Sequence, residues 1–113
     1  MAYDNQPGSE STDGKQIAVA AIATPGTLLH TATAGSKPDA ITIHATNIDT
    51  VDQTLTIEWG GVTDADQIIV GIPPKTGYIL VINGRLLKGG LDVRAFAEEA
   101  NKINCNISVI SST

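Results

Sequence analysis

The 113-residue chain is poor in cysteine, in aromatic residues and in basic residues, and each shortage argues against a class of protein. The single cysteine, Cys105, cannot form an intramolecular disulfide. Four aromatic side chains leave the hydrophobic core to Ile, Val, Leu and Ala, which favours strands. Seven basic residues against twelve acidic ones give a net charge of −5, without any Lys or Arg cluster. We therefore expect no nucleic-acid partner.

Long apolar runs are missing as well. No stretch of about 20 apolar residues could span a membrane. The opening "MAYDNQPGSESTDGKQ" lacks the basic and apolar regions of a secretory signal. We therefore expect no membrane partner, and a protein made in the cytoplasm.

Residues that could carry catalysis or bind a metal are scarce. His30 and His44 are the only histidines, and no cluster has zinc-site spacing. Asp64 and Asp66 have the D-x-D spacing of some calcium loops but lack the following Gly and Glu, so turn residues are the better interpretation. No G-x-S-x-G sequence singles out a nucleophile. We expect a non-enzymatic protein with no metal and no cofactor.

The sequence does contain short apolar runs separated by Gly, Pro, Asn and Asp. Eight runs spaced by roughly 8–12 residues are typical of a β-sandwich or small barrel. We predict an all-β protein, an antiparallel β-sandwich of about eight short strands spanning residues 16–113. Residues 1–15 are polar, and we expect them to form a flexible N-terminal arm.

Two runs show the two-residue period of strands with one buried face. In "AITIHAT" the alternation places His44 outward, and in "TLTIEWG" it places Glu58 outward. The turn-rich connection "NIDTVDQ" predicts that these strands pair as an antiparallel hairpin. His44 and Glu58 could then be cross-strand neighbours on the solvent face, which is far more typical of a sheet surface than of a catalytic site.

Turn formers predict where strands end. Pro73 and Pro74 should end the strand "QIIVGI", Asn83-Gly84 should form a turn with positive φ, and Gly89-Gly90 should form the next reversal. Residues 95–102 contain good helix formers, but "LDVRAFA" alternates, which favours a strand followed by a turn.

The apolar phase of these strands predicts the core. We expect Cys105 to be a buried, inert thiol within it. The predicted core residues are Leu29, Ile41, Ile43, Leu55, Ile57, Trp59, Val70, Leu80, Val93, Cys105, Ile107 and Val109.

Arg94 and Phe96 fall on the outward phase of "LDVRAFA". This pair of residue types is enriched at protein interfaces. The alternative is that Phe96 is buried because both faces of its strand are covered.

The order of segments over roughly residues 27–110 resembles small virion structural proteins of tailed bacteriophages. The similar segments are "LLHTATAG", "ITIHATNIDTVDQTLTIEWGG" and "IIVGIPPKTGYILVINGRLLKGGLDVRAFAEEANKINCNI". The resemblance implies a β-sandwich on the virion, as a decoration (cement) protein on the capsid shell or a related head component.

That resemblance leads to a set of functional expectations. The partners would be the major capsid protein and further copies of this chain, arranged as a homotrimer on the shell. The candidate assembly contacts are Tyr3, Arg85, Arg94 and Phe96. The alternatives are a head-tail connector or other minor head component, and a carbohydrate-binding module that presents Trp59 and Tyr78 to sugars.

Overall fold

The structure, a computed structural model, describes the backbone of residues 3–112 and the side chains of residues 5–111. It confirms an all-β sandwich of two antiparallel sheets. One 3₁₀ turn, Asp64–Asp66, precedes β6. The nine strands are β1 (Tyr3–Pro7), β2 (Ile17–Ala18), β3 (Thr27–Thr31), β4 (Asp39–Asn47), β5 (Gln53–Trp59), β6 (Gln67–Ile72), β7 (Ile79–Leu87), β8 (Asp92–Ala97) and β9 (Ile103–Ser112).

The strands divide into two layers. Sheet A has the order β1-β9-β4-β7, and the short β2 pairs with β9 on the same side as β1. Sheet B has the order β3-β8-β5-β6. The central pair of sheet A is in register over nine residues, from Asp39 opposite Ser111 to Asn47 opposite Ile103.

Alternation along the strands creates the core. Every second residue of β4, from Asp39 to Asn47, is buried, and the residues between them are half-buried. The inward side chains of sheets A and B meet in one apolar layer. Its buried members are Val19, Leu29, Ala32, Ile41, Ile43, Ala45, Leu55, Ile57, Ile72, Ile82, Leu87, Val93, Ala95, Ala97, Ile103, Cys105, Ile107 and Val109.

The core prediction is confirmed for most of its members, including Cys105. Trp59 and Val70 are only partly buried and pack against the core from its edge. Leu80 was predicted to be buried, which is wrong, because its side chain is 49% exposed. Leu80 lies opposite His44 on the outer face, where the register between β4 and β7 shifts.

The predicted β4–β5 hairpin is wrong, because β4 belongs to sheet A and β5 to sheet B. The connection crosses between the sheets, and the buried Asn47 organises it. The Asn47 amide donates to the carbonyl oxygens of Val51 and Ile72 and accepts from the Asp49 N–H. His44 and Glu58 are therefore not cross-strand neighbours.

Most of the predicted chain reversals are confirmed. β6 ends at Ile72, directly before Pro73, and Gly89 and Gly90 both have positive φ in the β7–β8 turn. Residues 92–97 form a strand, and a turn follows it.

The turn predicted at Asn83-Gly84 is wrong, since β7 continues to Leu87. The positive φ of Gly84 instead serves an irregularity in the pairing with β4, where the Gly84 N–H donates to Thr42.

Residues 1–15, expected to be a flexible arm, contain β1, which pairs with β9, and the short β2 that follows them pairs with β9 as well. β1 runs antiparallel to residues 108–112, and β2 pairs with Asn104 and Cys105. Composition does not predict this, because β1 contributes backbone hydrogen bonds rather than apolar side chains. Without β1 and β2, one side of β9 would present unpaired N–H and C=O groups.

Replacing Ile57 by Ala should lower the free energy of unfolding by about 2–5 kcal/mol, since a fully buried side chain is truncated. Leu80→Ala is the matched control and should cost less than about 1 kcal/mol, because Leu80 is half exposed. Urea unfolding of both variants measures the difference. Equal losses would contradict the strand phases described here.

Candidate functional site

A buried polar cluster joins β3, β4 and β9 with the segments around them at one end of the sandwich. His30 of β3 and Asp39 of β4 are almost fully buried, at 3% and 1% exposure, and their side chains lie 2.9 Å apart (Nε2 to Oδ2). Ser111 of β9 donates its hydroxyl to Oδ1 of Asp39 at 2.9 Å. Thr33 donates both its hydroxyl and its backbone N–H to the same carboxylate.

The hydrogen bonds define the state of His30. The backbone N–H of Ser9 donates to Nδ1 at 2.9 Å, so Nδ1 carries no proton and Nε2–H donates to Asp39. Burial acts to raise the pKa of Asp39, but hydrogen bonds from His30, Thr33 and Ser111 outweigh burial and hold that pKa below its ordinary value. The site therefore holds a neutral imidazole beside a carboxylate.

The cluster has the residue types of a Ser-His-Asp triad but not its geometry. Ser111 and His30 both donate to Asp39, so no base lies ready to take the proton of the serine hydroxyl. All three residues are buried. The arrangement instead joins the β1–β2 loop, through Ser9, to both sheets, and Gln6 of β1 adds a hydrogen bond to Ser111.

Glu58 was expected to face solvent, and this is wrong, because its side chain is fully buried. The segment before β3 covers it: Thr24 donates its hydroxyl to Oε2 at 2.5 Å, and Gly26 donates its N–H to Oε1 at 2.6 Å. A Cβ at Gly26 would lie 2.6 Å from the backbone of Ala95, so only glycine fits this close approach. The carboxylate anchors this loop on sheet B.

The candidate assembly residues whose side chains are described lie in two places. Arg94 and Phe96 are half-buried on the outer face of sheet B, and Arg94 donates to the carbonyl oxygen of Gly26. Arg85 lies 5.5 Å above the ring of Trp59, a cation–π contact at the edge of the sandwich. Tyr3 lies in β1, and its side chain is outside the described part of the chain.

The two rings considered for sugar binding are differently placed. Trp59 packs on the core and has Arg85 over its ring, whereas Tyr78 is 58% exposed and contacts His44 edge to face at 6.0 Å. A face already covered by a guanidinium is poorly suited to stacking on a sugar.

On the outer face of sheet A, ten outward positions of β4, β9 and β7 carry no Asp, Glu, Lys or Arg. This face mixes small polar side chains with exposed aliphatic ones. Those positions are Ala40, Thr42, His44, Thr46, Asn104, Asn106, Ser108 and Ile110, with Leu80 and Leu86. In a chain of net charge −5 this uncharged surface is a candidate interaction surface.

The described residues provide little for metal binding or covalent chemistry. They contain no group of three or more His, Cys, Asp or Glu side chains that could hold a metal ion. Asp66 accepts hydrogen bonds from the backbone N–H and hydroxyl of Thr63, as a turn residue does. Burial raises the pKa of Cys105 to about 12, so its thiol stays protonated.

Two open grooves have volumes of about 300 and 330 Å³, one lined mainly by Leu86, Leu87 and Leu91 and the other by Trp59, Arg85 and neighbours. These volumes lie at the lower limit for small-molecule sites.

In residues 3–112, no helix has the length and apolarity needed to cross a membrane.

Sequence reasoning missed both buried carboxylates. For Asp39 a signal existed, because it lies in phase with the inward residues Ile41 and Ile43. For Glu58 no local signal existed, since the loop that covers it is more than 30 residues away in the sequence.

Asp39→Ala should destabilise the fold by about 3–5 kcal/mol, because it leaves the buried donors of His30 and Thr33 without an acceptor. Asp39→Asn should cost less, since the hydroxyls of Thr33 and Ser111 can rotate to accept from the new amide. Chemical unfolding at pH 7 measures both losses. A larger loss for the Asn variant would contradict this network.

The same carboxylate makes stability depend on pH. Because the pKa of Asp39 in the folded chain is below the unfolded value of about 3.9, its contribution is present above about pH 4 and is lost as the pH falls through the folded pKa. Below about pH 4 the free energy of unfolding should therefore decrease less steeply with falling pH in Asp39→Asn than in the exposed control Asp52→Asn. Part of the slope should remain, because the N–H of Thr50 also lowers the pKa of Asp49.

Deleting residues 1–9 should lower the free energy of unfolding by about 2 kcal/mol and the melting temperature by roughly 8–12 °C. The deletion removes the pairing along β9 and the donor to Nδ1 of His30. Differential scanning calorimetry measures the shift. An unchanged melting temperature would mean that this segment behaves as the flexible arm that composition predicts.

Comparison of the chain with protein-family models, with curated proteins and with solved structures finds no match.

Proposed function

We propose that the protein is a non-enzymatic structural component of a tailed-phage virion, which binds the outer surface of the major capsid protein shell as a decoration (cement) protein. The segments that resemble phage virion proteins correspond to β3 through β9, the body of the sandwich. The proposal assigns the chain to the virion surface, with the shell and further copies as partners.

The observation that carries the proposal is the distribution of apolar and titratable side chains. Both broad faces of the sandwich present apolar side chains to solvent, including Ile69 and Leu86 at 64% and 62% exposure. The buried acids Asp39 and Glu58 and the buried His30 are all engaged in hydrogen bonds within the fold. Such a protein offers surfaces for assembly rather than groups for chemistry.

We place the shell contact on the outer face of sheet B. Phe96, Thr56 and Ile69 form one row across β8, β5 and β6. Arg94 lies beside this row, and Arg85 lies at the edge of the sandwich. Phe96 and Ile69 lie on either side of the buried Thr56, and aromatic and arginine side chains are enriched at interface centres.

The two alternative functions lead to different expected observations. A connector or minor head protein would be present in about a dozen copies at the neck rather than across the shell. A carbohydrate-binding module would show saturable glycan binding that depends on Trp59 or Tyr78. The arginine over Trp59 weighs against the second alternative.

Cryo-electron microscopy of purified particles should show this chain at many symmetry-related positions on the shell. In a binding assay with particles that lack the protein, Phe96→Ala combined with Ile69→Ala should reduce occupancy at least tenfold, since interface centres carry most of the affinity. Ile69→Ala alone should weaken binding with no loss of melting temperature, because Ile69 is exposed.

Ile48→Ala is the matched control, since Ile48 is also exposed, at 57%, but lies in the β4–β5 connection. This variant should bind particles as the parent does. Absence of the protein from particles would overturn the proposal, and density confined to the neck would replace it with the connector alternative.

A further inference from the structure

On the outer face of sheet A, a row of apolar side chains crosses three strands. Ala40 of β4 lies directly opposite Ile110 of β9 on one side and Leu86 of β7 on the other. Ile110 is 46% exposed and Leu86 is 62% exposed, so the row runs from large to small to large across the sheet. Solvent-exposed aliphatic side chains in one row mark an interaction surface better than scattered ones do.

We infer that this face binds a second copy of the same chain, by packing of sheet A on sheet A around a two-fold axis. An axis close to β4 and parallel to it brings Leu86 of one copy onto Ile110 of the other. The same operation brings Ile110 of the first copy onto Leu86 of the second. The row is thus self-complementary, because its two large residues flank the small Ala40.

Charge favours a second copy on this face. Each chain carries a net charge of −5, so two copies repel wherever their acidic surfaces meet. The outward positions of β4 and β9 carry no Asp, Glu, Lys or Arg, and the exposed Ser108 next to the row can exchange hydrogen bonds with a partner. Through this face, two acidic copies can approach each other without placing like charges face to face.

The area is adequate for a weak dimer. Strands about 4.8 Å apart and about 3.4 Å per residue give a face of roughly 20 by 30 Å over β1, β9, β4 and β7. Packing two such faces buries on the order of 1,200 Å² in total, the lower limit of a standard interface. We therefore expect a reversible dimer with a dissociation constant on the order of 100 μM.

Sedimentation equilibrium of the full-length protein tests this inference. The parent chain should show a reversible monomer–dimer equilibrium, and Leu86→Asp should weaken it at least tenfold. Ile69→Asp is the matched control: it adds the same charge, on an edge strand of sheet B, at a side chain of nearly equal exposure. The control should leave the equilibrium within about twofold of the parent, as expected of a distant surface change.

Complementary charges test the two-fold register. Leu86→Lys and Ile110→Asp should each dimerise poorly alone, because each places an unpaired charge against an apolar side chain. Mixing the two variants should restore a heterodimer, since Lys at position 86 then meets Asp at position 110 while the other contact stays apolar. Native mass spectrometry distinguishes the heterodimer from either homodimer.

A chain that stays monomeric at about 1 mM, far above the expected dissociation constant, would overturn the inference. Equal effects of Leu86→Asp and Ile69→Asp would also overturn it, as would a mixture that shows no heterodimer. The inference is independent of the virion role. Absence from particles leaves the dimer measurement unchanged, and a monomeric chain leaves the binding test of the sheet B face unchanged.

Discussion

Contact between the inner faces of sheets A and B is the interaction on which the rest of the structure depends. The buried aliphatic side chains of β4 and β9 meet those of β5 and β8, and among the described side chains no large aromatic residue fills the centre of the layer. With aliphatic side chains alone, stability rests on close packing over many positions. Each strand must therefore keep its two-residue phase, because a slip by one residue would turn its whole apolar set outward.

The buried polar groups attach the irregular segments to this layer. Asp39 ties the β3–β4 connection to sheet A, and its neighbour His30 binds the β1–β2 loop through Ser9. Glu58 ties the segment before β3 to sheet B. Asn47 does the same for the crossover between sheets. A buried carboxylate is costly unless several donors reach it, and here some of the donors come from irregular segments: Thr33 for Asp39, and Thr24 and Gly26 for Glu58. The networks thereby specify where the loops lie.

Alternation made the fold class and most of the core predictable, because period and burial are linked within each strand. The predicted burial of Leu80 was wrong because the β4–β7 register shifts close to it, and such a shift cannot be predicted from one strand alone. The predicted exposure of Glu58 was wrong because a loop distant in the sequence covers the outward face of β5 at this residue. The polar β1 was missed because backbone pairing leaves no mark on composition. The errors share one cause, which is contact between segments far apart in the sequence.

The edges of the sheets are poor sites for association, which favours the two broad faces as the proposed contact surfaces. β7 is irregular where it pairs with β4, β3 shifts register at Leu28 and His30, and β6 contains Gly71. Irregular or short edge strands make poor templates for a further strand. The two broad faces remain, and they differ. A hydrogen-bonded loop covers part of sheet B, whereas the outward positions of β4 and β9 in sheet A carry no Asp, Glu, Lys or Arg. Two chemically different faces allow one small domain to hold two different neighbours at once.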